Sequence, residues 1–387
     1  MRSRRGRAAL ATLAVVLTLT SGCSFGPPGA DEAGTAPNLP APSVAATASA
    51  GSGADREVAV TVLATGLEVP WGIAFLPDGS ALVTERDTAR ILRVGPESDA
   101  DGLTVDEVAR LSEVRASGDG GLLGIAVSPR YASDRTVFVY YSTATDNRIG
   151  KLVLGKPVQP IVTGIPRSPQ QNGGALAFGP DGYLYAGTGD GTAGGTQAPS
   201  PKSLGGKILR MTTAGKPAPG NPVKGSLVWS SGHRNVQGIA WDATKRMFAT
   251  ENTQPRFSEL NVVQKGKNYG WPRADGTASG NRSVDPLIAW PTARSSCGGV
   301  AAMEHLVATA CLLGKRLYLL DVTGNGTVLG QAQELLTDEY GRLRALVAAP
   351  DGSLWVSTSN QEDAGEPDPE DDRLIRLVFS DGGAGRS

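Results

Sequence analysis

Ile73-Ala-Phe-Leu-Pro-Asp-Gly-Ser-Ala-Leu-Val-Thr84 reads as strand, turn, strand. The proline presets φ for the turn, the glycine supplies a positive φ, and the apolar flanks make a buried hairpin. Leu176-Ala-Phe-Gly-Pro-Asp-Gly-Tyr-Leu-Tyr-Ala-Gly187 and Leu346-Val-Ala-Ala-Pro-Asp-Gly-Ser-Leu-Trp-Val-Ser357 repeat it. Ile125 to Tyr140, through Ser128-Pro129-Arg130, and Ile239 to Thr250, through Asp242-Ala243-Thr244, are decayed copies. After Arg56 there is no long helical periodicity, only short alternating or fully apolar runs bounded by Gly, Pro, Asp and Asn. Copies recurring at roughly fifty to sixty residues are expected for the blades of an all-β propeller. Six blades fit the length, and the early strand Val58 to Ala64 is placed beside Leu374–Val378 to complete the last one. A β-sandwich of unrelated hairpins is the alternative.

The ends of the chain set its compartment. Arg2, Arg4, Arg5 and Arg7 precede the apolar run Ala8 to Leu19, and Thr20-Ser21-Gly22-Cys23 closes it with small residues. This resembles a bacterial lipoprotein signal over residues 1–23, with Cys23 as the lipid-bearing first residue of the mature protein. Thr20 is less apolar than usual at its position, so a plain secretory signal is the other reading; the run is too short for a spanning helix. Residues 24–56 are rich in Ala, Pro, Gly, Ser and Thr, cannot bury enough surface to offset ordering, and are expected to form a flexible tether. The folded domain is assigned to residues 57–380, with a flexible tail over 381–387. The location that follows is extracytoplasmic, with membrane attachment through a lipid only. In the 387 residues the net charge is −1, which excludes a nucleic-acid or acidic-polymer partner read from charge. Cys297 and Cys311 remain after Cys23, an even count in an oxidising setting; they are expected to be bridged, free thiols being the alternative.

Two polar runs break the hairpin pattern. Gly232-His-Arg-Asn-Val-Gln-Gly238 lies between the apolar segments Leu227–Trp229 and Ile239–Trp241, and Asn268-Tyr-Gly-Trp-Pro272 follows. Arg, Asn and Gln are costly to bury unless paired, so the first run is either a preorganised polar pocket or a solvated turn.

These runs, with Gly118-Asp-Gly-Gly-Leu-Leu-Gly124, Phe178-Gly-Pro-Asp-Gly182, Gly187-Thr-Gly-Asp190 and Leu204-Gly-Gly-Lys-Ile-Leu-Arg210, resemble the soluble glucose, aldose-sugar and sorbosone dehydrogenases that depend on pyrroloquinoline quinone (PQQ). The resemblance spans Thr65 to Leu377. It implies a six-bladed propeller whose axial mouth binds PQQ and calcium and oxidises the C1 hydroxyl of aldoses to lactones. PQQ carries three carboxylates and an ortho-quinone, which call for planar cationic forks and amide donors. By the resemblance, Arg234, Asn235 and Gln237 contact the cofactor, Arg342 and Arg344 clamp its carboxylates, and Asp190 orients the catalytic base. Asp119 stands at a cofactor-side position where some members carry Gln or Glu.

The chain departs from that pattern at the base. Gln170-Gln-Asn-Gly-Gly-Ala175 puts Gln171 where the family has its catalytic histidine and Ala175 where it has an arginine. A neutral amide takes up no proton near pH 7, and a general base is worth roughly a hundred- to ten-thousand-fold in rate. The calcium segment reads Glu251-Asn-Thr-Gln-Pro-Arg-Phe-Ser-Glu-Leu-Asn261. Its implied ligands are the carbonyls of Thr253 and Gln254, with Glu259; Ser258 replaces an acid, and Leu313 stands where a basic residue is expected, Lys315 being two positions on. Three functions follow. The first is an exported PQQ-dependent aldose dehydrogenase with an altered base, its electron acceptor left open. The second is a non-catalytic propeller binding a sugar, a quinone-like ligand or a cell-envelope partner, and the third a lactonase-like hydrolase with a metal at the mouth.

Overall fold

The computed structural model describes residues 44–46, 56–96, 103–191, 194–253, 256–277, 283–362 and 367–379. Cys23 with the signal segment, most of the tether, Gln254 and the tail 381–387 lie outside them. Among the described residues no helix is long and apolar enough to cross a membrane.

The chain folds as six antiparallel sheets arranged in a ring, a six-bladed β-propeller. Blades one to five use consecutive strands, over residues 70–110, 122–165, 173–231, 236–291 and 297–335. Blade six takes its three inner strands from Leu343–Ala348, Leu354–Thr358 and Leu374–Phe379, and its fourth from Val58–Ala64 near the start of the domain. The expected pairing of Val58–Ala64 with the last strand is present, in the register Val58 to Phe379 and Val60 to Leu377. Val44–Ala46, inside the segment expected as a tether, adds three further pairs on the outer edge of Val58–Ala64.

The hydrophobic core is divided in the way a propeller requires. The buried clusters bridge neighbouring blades, as in Leu82, Ile91, Val137 and Val139 between blades one and two. Leu317, Leu319, Val356 and Ile375 do the same between blades five and six. Hairpins that expose an apolar face singly bury it by stacking, at roughly 25 cal/mol per Å² removed from water.

Near the axis the innermost strands run so close that side chains are excluded. A Cβ on Gly124 would lie 2.1 Å from the carbonyl oxygen of Gly174, and one on Gly299 2.2 Å from the amide of Leu346. Hydroxyls on the second strands latch the ring: Thr84 Oγ1 donates to Leu123 O at 2.5 Å, Thr250 Oγ1 donates to Gly298 O, and Ser357 Oγ donates to Pro70 O at 3.1 Å.

Cys297 and Cys311 face each other on adjacent strands of blade five and are disulfide-bonded, 14 positions apart. Replacing both by alanine is expected to cost about 3 kcal/mol, the chain-entropy value for a loop near this length. Urea unfolding reads this directly, and an unchanged midpoint would show the bond to be dispensable.

Candidate active site at the axial mouth

The six innermost strands deliver their N-terminal ends to one cavity of about 310 Å³, at the lower end of the roughly 300–1,000 Å³ range of small-molecule sites. Blade one supplies Trp71, blade two Asp119 and blade three Gln171. Blade four supplies Arg234, Asn235 and Gln237, blade five Ser296, and blade six Arg342 and Arg344. The structure therefore brings together seven residues singled out in the sequence: Asp119, Gln171, Arg234, Asn235, Gln237, Arg342 and Arg344. The run Gly232 to Gly238 is a pocket wall.

That wall is held from behind by a carboxylate. Glu251 accepts hydrogen bonds from Arg234 N at 2.8 Å and Asn261 Nδ2 at 3.1 Å, and pairs with His233 Nδ1 at 2.5 Å. His233 is fully buried, meets Ser230 Oγ through Nε2 at 2.8 Å and stacks on Tyr269, so it is a spacer inside the blade. The run Asn268 to Pro272 lies alongside: Tyr269 N donates to Ser231 O and Trp271 N to Gly232 O, both at 2.9 Å. Trp271 then places its indole under the Arg234 guanidinium, 4.4 Å from ring centre to Cζ. The two polar runs are one device for aiming Arg234.

Asp190 supports that device from a second layer. It is fully buried; Oδ2 accepts from Trp271 Nε1 at 2.8 Å, Oδ1 accepts from Ala198 N at 2.5 Å, and its own N donates to Arg234 O at 2.7 Å. It does not line the cavity. Gln171 has a left-handed φ of 61°, and its amide oxygen, oriented by its partners, accepts from Arg234 Nη2 at 2.9 Å and Nε at 3.3 Å while its nitrogen donates to Gly191 O at 2.6 Å. The residue at the histidine position thus grips the arginine. Arg234 Nη1 is buried with no partner among the described residues. Burial pushes its guanidinium below the usual value, against the pull of Asp275 and Asp190.

The sequence of family motifs fits this geometry. A model of the family described as glucose/sorbosone dehydrogenase matches residues 67–366. The chain belongs to the glucose/sorbosone dehydrogenase family. Similar solved structures include the PQQ-bound form of an aldose sugar dehydrogenase from Streptomyces coelicolor, 44% identical over 84% of this chain and 98% of that one, with a TM-score of 0.78. A putative oxidoreductase (glucose dehydrogenase) from Thermus thermophilus is 39% identical over 83% of this chain and all of its own, with a TM-score of 0.74. Aldose sugar dehydrogenase YliI of Escherichia coli K12 is 28% identical over 81% of this chain and 92% of its own length.

Within this family member, the arginine clamp holds a residue that the sequence did not flag. Glu362 accepts from Arg344 Nη2 at 2.8 Å, Arg342 Nη2 at 3.4 Å and Ser359 Oγ at 2.9 Å, and also pairs with Arg86 Nη1. Burial alone would raise its carboxyl, but Arg344 and Arg86 outweigh burial and hold it far below the usual range. Three guanidinium groups and two carboxylates, Asp119 and Glu362, therefore line the cavity.

The calcium segment is divided. Asn252 lines the cavity, anchors Ser296 Oγ through Nδ2 at 2.8 Å, and has a buried Oδ1 with no partner among the described residues. Thr253 ends the strand Met247–Thr253 that carries it. Glu259 points elsewhere: it accepts from Gly276 N at 2.8 Å and Asn261 Nδ2 at 3.2 Å, and burial, with Glu251 near, pushes it up to about 8. Ser258 Oγ accepts from Cys297 N at 3.2 Å, and Ala175 is buried. Leu313 is exposed and Leu312 takes the place at the cavity, while Lys315 is outside it.

Proposed function

We propose that the protein is an exported PQQ-dependent dehydrogenase that oxidises the C1 hydroxyl of aldoses to lactones. The observation that carries this is the convergence of Arg234, Arg342 and Arg344 on one cavity, with Arg234 Nη1 buried and awaiting an acceptor. A buried guanidinium donor left open is costly unless an anionic or carbonyl oxygen completes it. A planar tricarboxylate with an ortho-quinone supplies both kinds of oxygen. Arg342 and Arg344 would take its acids; Arg234, Asn235 and Gln237 would hold its flank. Asn252 Oδ1, with the carbonyls of Thr253 and Gln254, would take calcium, a cation that prefers hard oxygens. PQQ, when bound, supplies the hydride acceptor; the chain's part is to bind it, orient the sugar and remove a proton. Export rests on the arginine-led apolar start and on Cys23, and fatty-acid labelling lost in Cys23→Ser reads the anchor.

The non-catalytic binder keeps two observations on its side: the Gln171 amide is fully engaged by Arg234 and Gly191, and Glu362 already sits in the arginine clamp. The lactonase reading lacks its cage, since among the described residues no cluster of three or more His, Cys, Asp or Glu is placed to hold a metal. Titration with PQQ and calcium followed by absorbance, then aldose oxidation with an artificial acceptor, separates the readings. Saturable uptake with turnover is expected. Uptake without turnover would leave a binder, and no uptake would remove the dehydrogenase.

A further inference from the structure

Resting on the dehydrogenase reading, the proton at C1 needs an acceptor, and neither Gln171, at the base position, nor the carboxylates Asp190 and Glu362 are free to serve. Gln171 has an amide with no basic nitrogen, and both ends of it are already hydrogen-bonded. Asp190 is fully buried, does not reach the cavity, and uses both oxygens on protein donors. Glu362 lines the cavity but is pinned by Arg86, Arg342, Arg344 and Ser359.

We propose that Asp119 is the general base, taking the proton of the sugar's C1 hydroxyl from a position beside Gln171. Asp119 is a cavity-lining carboxylate at the solvent edge of the mouth. Its Oδ2 accepts from the backbone N of Gln171 at 3.2 Å, and among the described residues its Oδ1 has no protein partner. The carboxylate is fixed there by backbone. Asp119 N donates to Pro169 O at 2.8 Å, and the neighbouring Gly118, at φ 58°, packs so closely that a Cβ would lie 2.1 Å from the same oxygen. The loops of blades two and three are thus zipped together, with Asp119 and Gln171 lining the same cavity.

The groups facing Asp119 are Arg344 on blade six, Arg86 beyond the second strand of blade one, and Glu362. Desolvation at the mouth raises its carboxyl from the ordinary aspartate value, against the Gln171 hydrogen bond and the two arginines. In the step, the O–H bond at C1 would break with its proton passing to the Asp119 carboxylate, while the C1–H bond would break with its electron pair and the C1–O bond would become a carbonyl. The ortho-quinone, when bound, would supply the two-electron oxidant that takes the hydride.

The test uses full-length protein carrying Asp119→Asn or Asp119→Glu. In Asp119→Asn, kcat/KM for aldoses is expected to fall by roughly a hundred- to ten-thousand-fold and to lose the acid limb of its pH profile. Asp119→Glu is expected to keep that limb. Asp119→Asn combined with Gln171→His is expected to recover rate with a limb nearer the histidine range. PQQ affinity, read by absorbance without substrate, gives an independent check. Wild-type binding should weaken as pH rises through the Asp119 pKa, because a negative charge appears beside a tricarboxylate. Asp119→Asn should bind at least as tightly, with that pH dependence gone. An Asp119→Asn protein that keeps the wild-type rate and acid limb would overturn the assignment. So would a collapse of PQQ affinity in both variants, which would make the residue structural. Wild type that takes up no PQQ defeats the dehydrogenase reading itself, and the absorbance titration alone distinguishes that result.

Discussion

Arg234→Met is expected to weaken PQQ binding by about two to three orders of magnitude, the largest single effect at the cofactor wall. The side chain is over nine-tenths buried, with one edge held by Gln171 and one face stacked on Trp271, so its remaining donor is committed in direction before any ligand arrives. Truncating one partner of a buried, hydrogen-bonded charge pair costs about 2–5 kcal/mol, and about 1.4 kcal/mol is tenfold in affinity. Arg234→Lys should recover little. An ammonium lacks the planar fork that Gln171 grips on one edge while a second edge stays free. Absorbance titration of each variant is the measurement; wild-type affinity in Arg234→Met would mean that the open donor does not meet the cofactor.

Lys207→Met is expected to destabilise the fold by about 3 kcal/mol. Lys207 is 1% exposed, and its Nζ donates to the carbonyls of Gln197, Ala198 and Gly205 at 2.9, 2.8 and 2.7 Å. A thioether takes the Lys207 donor from all three; Gln197 O keeps Ser200 N at 3.1 Å, and the carbonyls of Ala198 and Gly205 lose about 1–3 kcal/mol each where they stay buried and unsatisfied. The loss spreads inward, because Ala198 N is a donor to Asp190, which holds Trp271 under Arg234. A pH signature distinguishes this from a plain packing defect. Burial pushes the Lys207 amine down to about 8, against the attraction of Asp190. Between that value and the ordinary lysine range the unfolded chain binds more protons than the folded one, so the wild type gains stability as pH rises. The gap between wild type and Lys207→Met should therefore widen from pH 7 to pH 9.5 in urea unfolding. A gap that stays flat would mean that the buried amine titrates normally, and one that closes would mean that the three carbonyls hold its proton.

The ring was legible because Pro-Asp-Gly fixes a hairpin by local sterics alone. That signature stands in blades one, three and six and survives in decayed form in blades two and four. Blade five carries none of it: its inner turn runs through Glu304, at φ 47°, where another blade has glycine, so nothing local announces Cys297–Met303 and Leu306–Cys311 as a hairpin. At the site, the positions found in the sequence all sit on motifs at the start of innermost strands. Trp71 and Ser296 occupy the same structural place without a distinctive neighbourhood, and Asn252 was passed over beside Thr253, although it lay in the calcium segment. Glu362 sits in no motif, and although Ser359, Arg342 and Arg344 are within 20 positions, its partner Arg86 is 276 positions away. The two polar runs were recognised separately; only folding shows that the second exists to place Trp271 beneath the arginine of the first.

Blade six joins strands from the two ends of the domain, and Val69 N donates to Asp372 Oδ2 across 303 positions. Contacts of such long separation form last, after the entropy of closing a very large loop has been met. During synthesis the strand Val58–Ala64 has only the short Val44–Ala46 beside it until Leu374–Phe379 exists, and blade one keeps an open flank for the same interval. The ring therefore stays unfinished until Leu374–Phe379 has been made. Loss of the last strand alone would strand both the beginning and the end of the ring.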